Sequence, residues 1–110
     1  MADFDPASDP DVIALFAAEA EDRVLRLAAC LDSVADGDRP ALDTCRREAH
    51  TLKGTAAMMG FASVAESARR IEAFLGRDDV PPDVDAVRTE LTELARLVAT
   101  ATTPGAPPAD

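Results

Sequence analysis

The feature that most constrains the fold is an apolar side chain that recurs at steps of three and four residues in four separate segments. Because an α-helix turns about 100° per residue, this spacing collects the apolar side chains on one face of a helix. The first stripe comprises Ile13, Phe16, Ala20, Val24, Leu27, Leu31 and Val34. The second comprises Leu42, Cys45, Ala49, Leu52, Ala56 and Met59. The third comprises Phe61, Val64, Ala68, Ile71 and Leu75, and the fourth comprises Val84, Val87, Leu91, Leu94, Val98 and Ala101.

Helix-capping and helix-breaking residues lie between these stripes. Side chains that accept a hydrogen bond, and proline, favour the first turn of a helix, whereas glycine favours its end. The expected helix starts are Ser8 or Asp9 before Pro10, then Pro40, then Ser63 with Glu66 in capping-box spacing, and then Pro81-Pro82-Asp83. The expected helix ends are about Val34 followed by Asp36-Gly37-Asp38, then Gly60, and then Gly76 followed by Arg77-Asp78-Asp79.

Four amphipathic helices joined by short loops predict an all-α fold, an antiparallel up-down four-helix bundle. No alternating strand pattern competes with this interpretation. We assign residues 9–102 to the bundle, residues 1–8 to a flexible N-terminus, and the Pro/Ala-rich residues 103–110 to a tail or linker.

The composition limits the partners and the compartment. The chain of 110 residues carries a net charge of −10, which disfavours binding to nucleic acid or to an anionic membrane. It shows neither a signal-peptide pattern nor a run of transmembrane length, so we expect a cytoplasmic protein. Cys30 and Cys45 sit among apolar neighbours and are interpreted as reduced core residues rather than as metal ligands.

The second helix presents its side opposite the apolar stripe as a candidate site. His50, the only histidine of the chain, points about 160° away from Leu52 and therefore toward solvent. Lys53 lies within about 60° of it and Gly54 about 40° to the other side. A glycine inside a helix costs about 1 kcal/mol relative to alanine. Since Gly54 points away from the apolar stripe, we interpret it as clearance for an approaching partner or phosphoryl group.

Glu72 interrupts the apolar pattern of the third helix. It lies about 40° from Ala68, on the side facing the core, where an ionised carboxylate needs a partner. One possibility is an ordinary salt bridge to an arginine or lysine of a neighbouring helix. The other is a hydrogen bond from His50 Nδ1–H, which would fix the tautomer and leave Nε2 with the free lone pair.

The segment His50-Thr-Leu-Lys53-Gly54-Thr-Ala-Ala-Met-Met-Gly60-Phe61, followed by Ile71-Glu72, closely resembles the signature of histidine-containing phosphotransfer (HPt) domains. The resemblance covers about residues 9–101. The chain is similar in particular to the N-terminal phosphotransfer domain of chemotaxis-type histidine kinases. Those domains have the Met-Gly-Phe version of the motif and a carboxylate at the position of Glu72.

This resemblance implies a site and a function. His50 would be the phospho-acceptor, Lys53 a residue that stabilises the phosphoryl group, Gly54 the clearance for docking, and Glu72 the carboxylate that orients the histidine. Partner binding would involve Ala57 and the adjacent face of the third helix. Arg46 and Arg69 would lie at the rim of that surface.

The implied mechanism is nucleophilic, with His50 taking a phosphoryl group and passing it to or from a receiver aspartate in two-component signalling. The chain has neither a glycine-rich phosphate loop nor a carboxylate cluster for Mg²⁺. We therefore expect no cofactor, no metal and no ATP site of its own. The protein would be a phosphoryl carrier rather than an enzyme, with a histidine kinase and a response-regulator receiver domain as partners, and a monomer.

Two alternatives remain open from the sequence. In the first alternative, the chain is a helical adaptor that binds a signalling partner without carrying phosphate, and His50 is incidental. In the second, the chain is the first domain of a larger chemotaxis-type kinase. The Pro/Ala-rich segment after Thr103 would then be the linker to its further domains.

Overall fold

The computed structural model describes residues 9–77 and 79–102 of the chain. These residues form four α-helices, which are α1 (Pro10–Ala35), α2 (Arg39–Met59), α3 (Ala62–Phe74) and α4 (Val84–Thr102). The flexible N-terminus predicted for residues 1–8 and the tail predicted for residues 103–110 lie outside the described residues.

The helices pack in a closed square. Helix α1 contacts α2 and α4, and α3 contacts the same two helices from the opposite side. Short loops connect helices that are neighbours in the chain, so successive helices run in opposite directions. The predicted all-α, antiparallel four-helix bundle is confirmed.

The predicted apolar stripes form the core. Four of the positions nearest the middle of the stripes, Leu27, Leu52, Ile71 and Leu94, are almost fully buried. Some positions at the helix ends, among them Val84 and Ala101, are only partly buried and pack against the core cluster. The two cysteines are free thiols, Cys45 fully buried and Cys30 partly buried. One buried residue, Ser67, is polar.

Aspartates cap three of the helices. The Asp9 side chain accepts hydrogen bonds from the backbone N–H groups of Asp11 and Val12. In the same way Asp38 accepts from Ala41 N–H at the start of α2. Asp83 accepts from Ala86 N–H at the start of α4. These side chains satisfy N–H groups that have no partner within the first turn of a helix.

The capping box predicted from Ser63 and Glu66 is wrong. The N-cap of α3 is Phe61, and no side chain accepts a capping hydrogen bond there. Glu66 instead accepts two hydrogen bonds from the Arg69 guanidinium. The physical reason is that Gly60, with φ of 83°, reverses the chain and α3 follows within two residues. The start of α3 is then held by packing of the Phe61 ring on Phe16, with ring centroids 5.0 Å apart.

The tight reversal at Gly60 also positions the candidate site. Helices α2 and α3 are antiparallel neighbours, so residues at similar distances from the reversal lie side by side. His50 precedes Gly60 by ten residues and Glu72 follows it by twelve. At about 1.5 Å of rise per residue, both side chains lie at nearly the same level of the bundle.

Candidate functional site

His50 stands on the solvent side of α2. Its side chain is 69% exposed, whereas Leu52 on the opposite face is fully buried. The helix is held by its apolar stripe, so the imidazole is presented outward by the same packing that buries Leu52. The exposure predicted for His50 from its angle on the helix is confirmed.

Glu72 of α3 forms a hydrogen bond with the inner nitrogen of this imidazole. The distance between His50 Nδ1 and Glu72 Oε2 is 2.7 Å. An ionised carboxylate can only accept, so in the neutral imidazole the proton lies on Nδ1. The lone pair is then on Nε2, the ring nitrogen that Glu72 does not contact. The hydrogen bond predicted between these two residues is present.

Lys53 occupies the other oxygen of the same carboxylate. Its Nζ lies 2.6 Å from Glu72 Oε1, and its side chain is 33% exposed. Both partners considered for Glu72, a histidine and a cation, are therefore present together. The Lys53 ammonium is consequently held in an ion pair with Glu72.

The environment of Glu72 favours its ionised form. Partial burial raises the pKa of the carboxyl, but the hydrogen bonds from Lys53 and then from His50 outweigh this effect. The pKa of Glu72 is therefore lowered from its ordinary value of 4.5. At neutral pH the carboxylate carries its full charge beside the imidazole, where it stabilises positive charge on the ring.

Gly54 leaves an open surface next to His50. A Cβ built at this position meets no atom within 4 Å, so no neighbouring helix requires the glycine for close packing. The residue is exposed in the middle of α2. Its helix-destabilising cost of about 1 kcal/mol is therefore not offset by any contact of the described residues.

Comparison with known families decides what kind of domain this is. The family model described as Hpt domain matches residues 11–100, which is most of the chain. The chain belongs to the Hpt domain family. No curated protein and no solved structure matches it.

Membership of the Hpt domain family gives the general role. Hpt domains serve phosphotransfer in two-component signalling, and they are phosphoryl carriers rather than enzymes. Their interactions are with histidine kinases and receiver domains. The four-helix bundle described above is the fold that is typical of this family.

The residues predicted for partner binding, Ala57 on the surface and Arg46 and Arg69 at its rim, differ in exposure. Ala57 is exposed on α2, one turn beyond Lys53. The Arg69 side chain is 55% exposed and paired with Glu66. Arg46 is only 21% exposed, because its Nη2 reaches across to the Leu75 carbonyl at the end of α3, at 3.4 Å. Arg46 therefore also joins α2 to α3.

Two surface depressions flank the His50–Glu72 pair. One, of about 350 Å³, is lined by Lys53, Ala57, Gly60, Ala62, Ala65, Glu66 and Arg69. The other, of about 620 Å³, is lined by Arg46, Arg69, Glu72, Ala73, Gly76, Arg77 and Val80. Arg69 lines both depressions.

Sequence reasoning missed the buried pair that fixes α3 against α4. The Ser67 hydroxyl donates to Glu90 Oε2 at 2.7 Å, and Arg70 Nη1 lies 3.5 Å from the same oxygen. Ser67 is three residues after Val64 and four before Ile71, so its position in the stripe was visible in the sequence. The partner of Ser67 could not be predicted, because the sequence pattern of α4 does not distinguish Glu90 from an ordinary solvated carboxylate.

Within residues 9–77 and 79–102, no group of three or more His, Cys, Asp or Glu side chains is placed to hold a metal ion. Among the described helices, none combines the length and the apolar character that crossing a membrane requires.

Proposed function

We propose that this protein is a phosphorelay intermediate that accepts a phosphoryl group on His50 Nε2 and passes it to or from a receiver aspartate. The observation that carries the proposal is the 69% exposed imidazole whose Nδ1 is bonded to Glu72 at 2.7 Å. This hydrogen bond directs the lone pair of the neutral ring to Nε2, the nitrogen that an incoming phosphorus needs.

The transfer exchanges one bond to phosphorus for another. The Nε2 lone pair attacks the phosphorus of the receiver's aspartyl phosphate, or the γ-phosphorus of ATP bound by a kinase. The P–O bond breaks and its electron pair leaves with the aspartate carboxylate or with ADP. The product is a phosphoramidate on Nε2, while the proton on Nδ1 stays in its hydrogen bond with Glu72. The reverse sequence returns the phosphoryl group to a receiver aspartate.

Glu72 and Lys53 have complementary roles in this step. Attack by Nε2 places positive charge on the ring, and the adjacent Glu72 carboxylate stabilises that charge. Lys53 is held by Glu72 at 2.6 Å, one turn from His50, where its ammonium is close enough to exchange part of this ion pair for phosphoryl oxygens. Gly54 provides the open surface over which the partner reaches His50.

The partner docks on α2 and α3 around His50. Ala57 and the small residues of the 350 Å³ depression offer an apolar surface, with Lys53 and Arg69 at its edge. Arg46, four residues before His50 on α2, joins α2 to the end of α3 through its contact with the Leu75 carbonyl. A relay protein exchanges partners, which favours a small interface with rapid dissociation. We propose that the protein acts as a cytoplasmic monomer in this exchange.

The test is incubation of the purified protein with ³²P-labelled receiver domains, or with a kinase core and labelled ATP. We expect label that is stable in alkali and lost in acid, as for a phosphoramidate. The variant His50→Gln should carry none. The control variant Glu21→Gln changes an exposed side chain of α1 and should be labelled as the unmodified protein is.

Label that persists on His50→Gln would remove the histidine from the mechanism. A protein that binds a receiver but never acquires acid-labile phosphate would instead be the helical adaptor, and the relay function would be refuted.

A further inference from the structure

The charges of this acidic protein are distributed unevenly along the chain. Residues 46–77 contain six of the eleven lysines and arginines but only three of the 21 aspartates and glutamates. This segment therefore carries a charge of +3, and the rest of the chain carries −13. Most of α2 from Arg46 onward, the whole of α3 and the start of the following turn form a basic region within an acidic molecule.

Three arginines of this region face one depression. Arg46, Arg69 and Arg77 line the 620 Å³ depression together with Glu72, whose other contacts are His50 and Lys53. The volume lies within the range of about 300–1,000 Å³ that is typical of binding clefts. The other lining residues are small or short, namely Ala73, Gly76 and Val80.

The three arginines belong to different elements. Arg46 belongs to α2 and is tethered to the Leu75 carbonyl of α3. Arg69 belongs to α3 and is held by a carboxylate, Glu66, through its Nε and Nη2 atoms at 2.9 and 2.6 Å. This contact shows that Arg69 binds a carboxylate with two hydrogen bonds from its present position, which is the geometry that favours arginine for such recognition.

A tight turn after α3 holds the backbone of the third arginine. The backbone N–H and C=O of Arg77 both bond to Val80, at 3.1 and 3.0 Å. Gly76 has φ of 76°, and a Cβ there would lie only 2.3 Å from the Val80 carbonyl oxygen, so the turn requires glycine. Of the described turn residues, Arg77 and Val80 line the depression and Asp79 does not.

We propose that this depression binds an acidic segment of the receiver domain that exchanges phosphate with His50. The inference rests on the proposed function and adds to it a recognition site beside the reacting group. The carboxylates of the receiver contact Arg46, Arg69 and Arg77, with Arg69 exchanging Glu66 for the partner. Since Glu72 lines the same depression and bonds to His50, docking there brings the receiver next to the imidazole.

Charge complementarity favours a short acidic segment of a protein over a nucleic acid. The basic region carries only +3 and is bordered by the −13 of the remaining chain. An extended polyanion would pass over this acidic remainder and be repelled, whereas a few carboxylates stay within the depression. Association should then depend on salt, because exposed charges are screened over about 8 Å at physiological ionic strength.

The test compares two triple variants with the same change in charge. Arg46→Gln, Arg69→Gln and Arg77→Gln are combined in one protein. The control combines Arg26→Gln, Arg88→Gln and Arg96→Gln, three exposed arginines of α1 and α4 that also form ion pairs. Each protein is labelled with phosphoramidate, and its transfer to a receiver that accepts phosphate from the unmodified protein is measured per labelled molecule, at low and at high salt.

We expect the second-order transfer rate of the depression variant to fall by about 10-fold or more at low salt and to lose most of its salt dependence. The transfer rate of the control variant should stay within about 2-fold of that of the unmodified protein. Because Arg46 also joins α2 to α3, the single variants Arg69→Gln and Arg77→Gln are measured as well, and each should slow transfer by a few-fold.

If the depression variants transfer as fast as the control, the proposed site is refuted while the relay function stands. If the unmodified protein itself transfers to no receiver, the relay function fails.

Discussion

Glu72 uses one carboxylate for two partners, and this ties the orientation of His50 to the position of Lys53. Oε2 bonds to His50 Nδ1 and Oε1 bonds to Lys53 Nζ. The histidine is therefore oriented by a group that is itself held, which limits rotation of an otherwise exposed ring. The orientation of the His50 ring thus depends on a residue of another helix, 22 positions along the chain.

We predict that Glu72→Ala lowers the rate of His50 phosphorylation by about 10- to 100-fold, since both the orientation and the charge of the carboxylate are lost. Glu72→Gln keeps an oxygen that accepts from Nδ1–H, so its rate of His50 phosphorylation should fall only a few-fold. The rate is measured with phosphoramidate, without a partner protein. Glu66→Gln, on the same helix, is the control, and equal rates for Glu72→Ala and this control would contradict the role.

Substitutions at Gly54 should affect the stability of the protein and its transfer to the receiver in different ways. Since a Cβ at this position contacts nothing, Gly54→Ala should raise the free energy of unfolding by about 0.5–1 kcal/mol. Gly54→Gln should be similarly tolerated by the fold, but its longer side chain should slow receiver transfer by 10-fold or more. Urea unfolding and transfer rates measure the two effects. Unchanged transfer in Gly54→Gln would show that the partner does not approach over this surface.

The two cysteines should differ in reactivity. Burial raises the pKa of the Cys45 thiol to about 12, so almost no thiolate is present at pH 8. Its Sγ lies 4.0 Å from the Leu27 carbonyl oxygen within the α1–α2 contact. Cys30 is partly exposed. Iodoacetamide should therefore add one group to the native protein and two in urea, as read by mass spectrometry. Two additions to the native protein would contradict the burial of Cys45.

Among the helices, α3 has the most demanding position, because it carries Glu72 on one side and contacts α4 on the other. The buried Ser67 hydroxyl donates to Glu90, which is itself mostly shielded from solvent. We predict that Ser67→Ala lowers the free energy of unfolding by about 1–2 kcal/mol, because the Glu90 carboxylate loses a donor.

A double-mutant cycle with Glu90→Ala, which removes the accepting carboxylate, measures this pair. A coupling free energy of about 1 kcal/mol is expected, with Thr92→Ala on the exposed face of α4 as the control. Additive effects of the two substitutions would show that the hydrogen bond contributes nothing.

The helices were predictable from the sequence because their signals are local. The apolar stripes, the cap at Asp9 and the reversal at Gly60 depend on residues within one or two turns, whereas Asp38 was expected to end α1 and in fact caps α2. The α3 start was not predictable in detail, since packing of Phe61 on Phe16 of another helix decides it rather than the side chain of Ser63.

The candidate site was predictable only in part, for a related reason. The angle of His50 on its helix follows from periodicity, and its contact with Glu72 follows from the antiparallel packing of α2 and α3. The ion pair that holds Lys53 and the burial of Arg46 depend on how long, flexible side chains settle between helices. No spacing rule along one helix determines such contacts.

At the scale of the whole molecule, two electrostatic effects oppose each other as the pH falls. At pH 7 the net charge is −10, so the excess carboxylates repel one another, and protonation of ordinary carboxylates relieves this repulsion. In contrast, Glu72 has a lowered pKa in the folded protein, as do Glu66 and Glu93 through their arginine partners. Protonating these groups removes interactions that only the folded state makes.

We predict that Glu72 stabilises the protein above about pH 4.5 and that this contribution disappears as the pH falls through its lowered folded-state value. In that window the unfolded chain binds more protons than the folded one, so the free energy of unfolding rises with pH. Urea unfolding between pH 3 and 7 should therefore show Glu72→Gln less stable than the unmodified protein at pH 6, with the difference narrowing toward pH 3. Glu21→Gln, an exposed α1 variant, should show no such narrowing, and a difference for Glu72→Gln that is independent of pH would refute the assigned contribution.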